Sequence, residues 1–87
     1  MPHEVEIAPE GLRHLNRLPS KVRAAVVETI FGSIAENPQR GKALRGELEG
    51  LYSARRGEFR VIYEIDEARR VVLVHRAHHR RGAYRRR

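Results

Sequence analysis

At 87 residues the chain suits one domain that buries roughly 60–65% of its unfolded surface, and it is too short for an enclosed multilayer active site, so any chemistry must sit on an open face. It has no cysteine, which excludes a disulfide framework and a thiolate zinc site, and it has neither a membrane-length apolar run nor a signal-peptide pattern, so a reducing cytoplasm is the expected compartment. The net charge of +7 is unevenly placed: Ala68 to Arg87 holds eight arginines and no acid, which leaves the rest of the chain nearly neutral.

In chain order, Val5 and Ile7 alternate with Glu4 and Glu6, the period of a short half-buried strand; Pro9 ends it and suits the first position of a helix. That helix is predicted from Pro9 to Leu18, with Leu12, Leu15 and Leu18 at i, i+3 and i+6 on one face. Pro19-Ser20 breaks the chain. From Lys21 to Glu36, Val22, Val26, Ile30 and Ile34 step by four, the mark of a second, longer amphipathic helix flanked by Ala25, Val27 and Phe31. Gly32 inside it costs about 1 kcal/mol relative to alanine. Asn37-Pro38 stops the helix, because a residue before proline avoids the α region. Gln39 to Glu49 reads as a polar loop anchored by Leu44 and Leu48.

Leu51 to Arg56 and Glu58 to Asp66 then flank Gly57-Glu58, and glycine first in a two-residue loop suits a type II′ hairpin turn. With those two residues as the loop, Arg56 opposes Phe59, Arg55 opposes Arg60, Ala54 opposes Val61, Ser53 opposes Ile62 and Tyr52 opposes Tyr63. Tyr52, Ala54, Val61 and Tyr63 share an apolar face, while Arg55 and Arg60 project together from the other. Asp66 to Arg69 is a further turn. Arg70 to His78 contains the apolar run Val71 to Val74, suited to a strand covered on both faces or central in the sheet. The expected fold is α+β in the order β-α-α-β-β-β, a helical pair on a small twisted, mainly antiparallel sheet, forming one domain over residues 1–87 with a basic C-terminal tail.

Arginine outnumbers lysine sixteen to two, and guanidinium contacts phosphate bidentately and stacks on bases, so nucleic acid is the expected partner rather than a membrane. From the residues alone, Arg55 and Arg60 form either an anion clamp or a surface pair neutralised by Glu64, Asp66 or another acid. RNA cleavage without a metal needs a base for the 2′-hydroxyl, cations for the charge growing on phosphorus and an acid for the leaving 5′-oxygen. Arginine supplies only the cations. Base and acid fall to His78, His79, Tyr84, Lys42, Glu47 or Glu49, with Tyr84 equally readable as an aromatic cap over the end of the sheet. His75, His78 and His79 lack a companion carboxylate or cysteine and lie in a cationic field, so neither a metal nor another cofactor is expected.

Behind the helical pair, Lys42-Ala43-Leu44-Arg45-Gly46, the run from Leu48 through Leu51-Tyr52-Ser53-Ala54-Arg55-Arg56-Gly57-Glu58-Phe59-Arg60 to Tyr63, then His79-Arg80-Arg81 and Tyr84-Arg85, together resemble the RelE/ParE toxin superfamily, and its RelE branch in particular. The resemblance implies a toxin that enters the ribosomal A site and cuts the mRNA codon there by 2′-hydroxyl attack, leaving a 2′,3′-cyclic phosphate without a metal. The ParE branch instead poisons DNA gyrase, and an inactive basic RNA- or ribosome-binding protein is a third reading. By the motif, Arg60 takes the place of the hairpin arginine, Arg80 of the last-strand arginine and Tyr84 of the tyrosine, while Arg55 matches one of two basic hairpin positions. The other holds Ser53, where RelE has lysine as base, which brings forward His79, and beside it His78, Glu47 and Glu49. The implied catalytic set is Arg55, Arg60, His79, Arg80 and Tyr84. Lys42, Arg45, Ser53, Arg56, Arg76, His78, Arg81 and Arg85 are the expected RNA contacts. The implied partners are an acidic RelB-like antitoxin in a hetero-oligomeric complex, the ribosome and mRNA.

Overall fold

The computed structural model describes residues 2–79, so Arg80, Arg81, Tyr84 and Arg85 of the expected site lie outside the described residues. The chain begins with β1 (Glu4–Ile7), α1 (Pro9–Arg17) and α2 (Ser20–Thr29), which runs on into a π-helical turn over Ile30–Ile34. A 3₁₀ turn (Pro38–Arg40) leads to a two-residue strand, β2 (Lys42–Ala43), and a second 3₁₀ turn (Gly46–Leu48) leads to β3 (Leu51–Arg56), β4 (Phe59–Asp66) and β5 (Val71–His79). The strands form one sheet in the order β1-β5-β4-β3-β2, antiparallel except that β1 runs parallel to β5. The α+β architecture is the expected one. The stretch read as a loop from Gln39 to Glu49 contains an edge strand, with Lys42 opposite Ser53 and Ala43 opposite Tyr52. Leu48 is not a core anchor either: it is exposed. Among the described residues no helix is long and apolar enough to cross a membrane.

The core lies between the helices and one face of the sheet. Leu15, Val26, Ile30, Ile34, Val61, Tyr63, Val72, Val74 and Ala77 are buried together, with Val22, Tyr52, Ala54 and Phe59 packed against them. A step of four residues advances about 40° around an α-helix, so the row Val22, Val26, Ile30, Ile34 would drift off the sheet. The wider π turn over Ile30–Ile34 reduces the rotation per residue and keeps both isoleucines inward. On α1 one of the three expected leucines leaves the core: Leu12 is exposed, while Leu15 is buried and Leu18 packs against the core. The buried face is instead Gly11 and Leu15, four apart. A Cβ at Gly11 would lie 2.9 Å from the Val74 carbonyl oxygen and 3.3 Å from backbone atoms of His75, so glycine here lets α1 rest directly on β5.

A second close approach pins the edge of the sheet. Buried Tyr63 stacks on Tyr52, with ring centroids 5.8 Å apart, and donates its hydroxyl to the Pro38 carbonyl at 2.5 Å. Gly41 has an ordinary extended backbone (φ −67°, ψ 171°), yet a Cβ there would collide with the Tyr63 hydroxyl and sit 3.1 Å from the Ser53 carbonyl. The requirement at Gly41 is therefore one of space. Burial pushes the Tyr63 phenol up to about 12; the backbone of Gly41 opposes the shift by hydrogen bonding and Tyr52 adds to it.

Gly41→Ala is expected to lower the urea-unfolding free energy by about 1–3 kcal/mol through overpacking. Gly32→Ala, where a Cβ meets nothing within 4 Å, is expected to raise it by up to about 1 kcal/mol. Because the Tyr63 phenol ionises in the unfolded chain before it does in the fold, the unfolded state holds fewer protons and stability falls as pH rises from 10.0 to about 12. Urea titrations across that window should show the fall flatten in Tyr63→Phe.

Candidate nucleic-acid interface

The hairpin adopts the register that parity dictates, with Arg55 opposite Arg60, Arg56 opposite Phe59 and Tyr52 opposite Tyr63. Gly57 supplies the left-handed residue of the turn (φ 60°), and Glu58 does not share that conformation, as a type II′ turn requires. Arg55 and Arg60 therefore leave the sheet side by side on the face away from the core. Two acids of the same region have partners of their own: Glu64 meets His75 at 3.0 Å, and Asp66 accepts the Arg69 N–H at 3.1 Å. Two like charges directly across a ladder cost a few tenths to about 1 kcal/mol, a cost that a bound anion removes.

Around the pair lies a basin of about 330 Å³ lined by Lys42, Leu44, Ser53, Arg55 and Arg60. A second cavity of about 220 Å³ shares Lys42, Ser53 and Arg55 with it and adds Arg40, Asn37 and Ser33. Arg40 was not among the residues picked from sequence; only the pairing of β2 with β3 brings it here. Arg45 does not line the basin but opens, with Glu49, on a neighbouring hollow of about 420 Å³. Arg56 is not brought to this face: it turns to the helix side, where it donates to Thr29 Oγ1 at 3.1 Å and lies 3.6 Å from Glu28. It ties the hairpin to α2 and is not positioned beside Arg55 on the open face.

β5 decides which histidine joins the arginines. Its pairing with β4 slips by one residue between Ile62 and Tyr63, leaving His75 as the extra residue of a β-bulge. Beyond the bulge Ile62 pairs with Arg76, Arg60 with His78 and Phe59 with His79. Arg55, Arg60 and His78 thus form one row across three strands, and Lys42, Ser53, Ile62 and Arg76 form the next across four. His79, the expected base, is on the other side: its ring meets Phe59 edge-on at 5.3 Å, on the core-facing surface. Direct cross-strand partners have Cβ atoms about 4.5–5.5 Å apart, so His78 is within side-chain reach of whatever Arg60 holds.

α1 adds residues that the sequence gave no reason to pick. His14 Nδ1 accepts the Ala77 backbone N–H at 3.2 Å, its Nε2 lies 3.8 Å from Glu10, and its ring stands 5.7 Å from that of His78. Glu10 also lies 3.9 Å from Arg76. Burial lowers the pKa of His78, its own backbone draws it back up, and His14, Arg76 and Arg60 lower it further. Burial likewise lowers that of His14, against the pull of Glu10 and with help from Arg17, Arg76 and Arg13. Among the described residues no group of three or more His, Asp or Glu side chains is placed to hold a metal ion.

This geometry has relatives. A family model described as the ParE toxin of type II toxin–antitoxin systems, parDE, matches residues 5–84. Toxin RelE of Mycobacterium tuberculosis is 50% identical over 86 residues, spanning 97% of this chain and 88% of that protein. The chain belongs to the RelE/ParE toxin superfamily. Toxin RelG of the same organism is 45% identical over 87 residues, covering 99% and 100% of the two chains. The crystal structure of the M. tuberculosis RelBE2 toxin–antitoxin complex contains a chain that superposes with a TM-score of 0.88 at 42% identity, over 91% of this chain and 92% of that one. The isolated Escherichia coli RelE toxin shares the fold, with a TM-score of 0.74 over 88% and 83% of the chains at 20% identity. This RelE-like chain is a toxin of a type II toxin–antitoxin system.

Arg55→Gln should relieve the cross-strand repulsion and raise stability by a few tenths to about 1 kcal/mol. Millimolar diphosphate should raise the melting temperature of the wild-type RelE-like toxin, as read by differential scanning calorimetry, and the same substitution should abolish the increase.

Proposed function

We propose that this toxin is an endoribonuclease that cuts mRNA in the ribosomal A site by attack of a 2′-hydroxyl on the adjacent phosphate. The observation that carries the reading is the row Arg55, Arg60 and His78, beside the Lys42 basin, on an open sheet face. Two guanidinium groups on adjacent strands can hold one phosphate and stabilise the charge that grows on it during attack. A histidine kept largely neutral by burial and by cationic neighbours is suited to proton transfer at cellular pH. Arg80 and Tyr84 complete the set by resemblance to the RelE branch, as a transition-state cation and as the acid for the leaving 5′-oxygen. An open site on an 87-residue domain positions a single strand poorly, so the ribosome presents the codon and the arginine-rich end grips ribosomal RNA.

The partner that restrains it is an acidic, RelB-like antitoxin. The M. tuberculosis RelBE2 and E. coli RelBE structures are toxin–antitoxin complexes, which supports this assignment for a chain of the same fold. A second reading, inhibition of DNA gyrase, is favoured by one observation: the matching family model is that of ParE.

Primer extension on a defined mRNA translated in a purified system separates the two. Wild-type toxin should produce cuts inside A-site codons, none on ribosome-free RNA, and a loss on the order of 10²–10³-fold in Arg60→Ala, with comparable losses in Arg80→Ala and Tyr84→Phe. Intact mRNA with wild-type toxin that inhibits gyrase supercoiling would overturn the nuclease reading.

A further inference from the structure

Beyond the place where β1 stops pairing at Ile7, the backbone of β5 has lost its strand neighbour. The next free N–H on that edge, Ala77, is taken by His14 of α1, a residue 63 positions away in sequence. The bond requires a lone pair on Nδ1, so the proton of neutral His14 sits on Nε2, toward Glu10. The same ring stands 5.7 Å from His78, tilted by 52°. His78 Nδ1 is buried, so a substrate can meet the ring only at Nε2. The bulge at His75 turns this side chain to the face of Arg60.

We propose that His78 is the residue that takes the proton of the attacking 2′-hydroxyl, and that His14 is the positioning residue that holds its strand and keeps it in the unprotonated form. The inference rests on the ribonuclease reading above. In the step, the 2′-oxygen gives its proton to His78 Nε2 and forms a bond to phosphorus. The bond from phosphorus to the 5′-oxygen breaks with its electron pair leaving on oxygen, and that oxygen receives the proton that the acid of the ribonuclease reading supplies. The products are a 2′,3′-cyclic phosphate and a 5′-hydroxyl. The groups that face His78 are Arg60 from β4, Arg76 from its own strand and His14 from α1, the last among Glu10, Arg13 and Arg17. Glu10 is the one acid in this set; it lies beside His14 and Arg76, so His78 is left among cations and stays unprotonated, able to accept a proton.

The role of His14 separates from a merely structural one by pH. His14→Asn presents an amide oxygen where Nδ1 was and preserves the acceptor for Ala77, but it removes the titrating ring. Single-turnover cleavage of mRNA on programmed ribosomes, followed against pH, should show an acid limb in the wild type. The limb should move to higher pH in His14→Asn and be absent in His78→Gln, whose rate should fall roughly 10²–10⁴-fold. Proton NMR of the imidazole resonances of the whole protein reads the same coupling without activity: the His78 titration should move to higher pH in His14→Asn. A His78→Gln protein that cuts at the wild-type rate, or a His78 titration indifferent to His14→Asn, overturns the proposal. Wild-type toxin that leaves mRNA intact while the two titrations remain coupled overturns the nuclease reading, and with it the catalytic role of His78, but not the pairing of the two histidines.

Discussion

One extra residue in β5 determines the chemistry of the open face. Asp66 pairs with Val71 at the start of the β4–β5 ladder, and simple alternation from there would set Ala77 and His79 on the side of Arg60 and bury Arg76 and His78 in the core. The bulge at His75 reverses that parity. Small Ala77 goes into the core at 1% exposure, and a cation and an imidazole go to the outer face. α1 fastens the irregularity from both sides, with Gly11 lying on the backbone of Val74 and His75 and His14 capturing the N–H of Ala77. A helix that touches the sheet through a glycine and a histidine thereby braces the bulge along the edge that β1 leaves uncovered beyond Ile7.

Charge is sorted along the strands as well as between the two faces. On the outer face the acids gather near the β4–β5 turn, where Glu4 pairs across from Val71 and Glu6 from Leu73, with Glu64 and Asp66 alongside on β4. Arg69 bridges this end, meeting Glu6 at 3.0 Å and Asp66 at 3.9 Å. The cations Lys42, Arg55, Arg60 and Arg76 lie toward the hairpin end, with Glu10 as a local counter-charge to Arg76. Such a gradient along a single surface orients an approaching polyanion before any contact forms, because its field acts over about a Debye length.

The hairpin was legible in the sequence because its signal is local: Gly57-Glu58 specifies the turn, and the period of two does the rest as far as Tyr52 and Tyr63. The helices were legible from the spacing of Val26, Ile30 and Ile34. The β2 strand was not, since two residues carry no periodicity and Lys42–Ala43 is defined only by its partner Ser53–Tyr52. The choice between His78 and His79 was illegible for a sharper reason. Nothing about His75 marks it as the residue to be left out of the ladder, and the groups that stabilise the bulge lie some sixty residues earlier in the chain. Leu12 misled in the same way, because a leucine stripe and a Gly11–Leu15 contact face predict the same helix and differ only in how it is rotated.

The parallel pairing of β1 with β5 joins Glu4 to Val71 and Ile7 to Val74, so the first strand finds its neighbour only in the last. During synthesis the chain emerges one end first, and for most of that time β1, α1 and α2 have no β5 to rest on. Contacts of such sequence separation form late and slowly. The sheet of this toxin therefore closes only after β5 has cleared the exit tunnel, and a nascent chain still held there lacks the row of Arg55, Arg60 and His78 in assembled form.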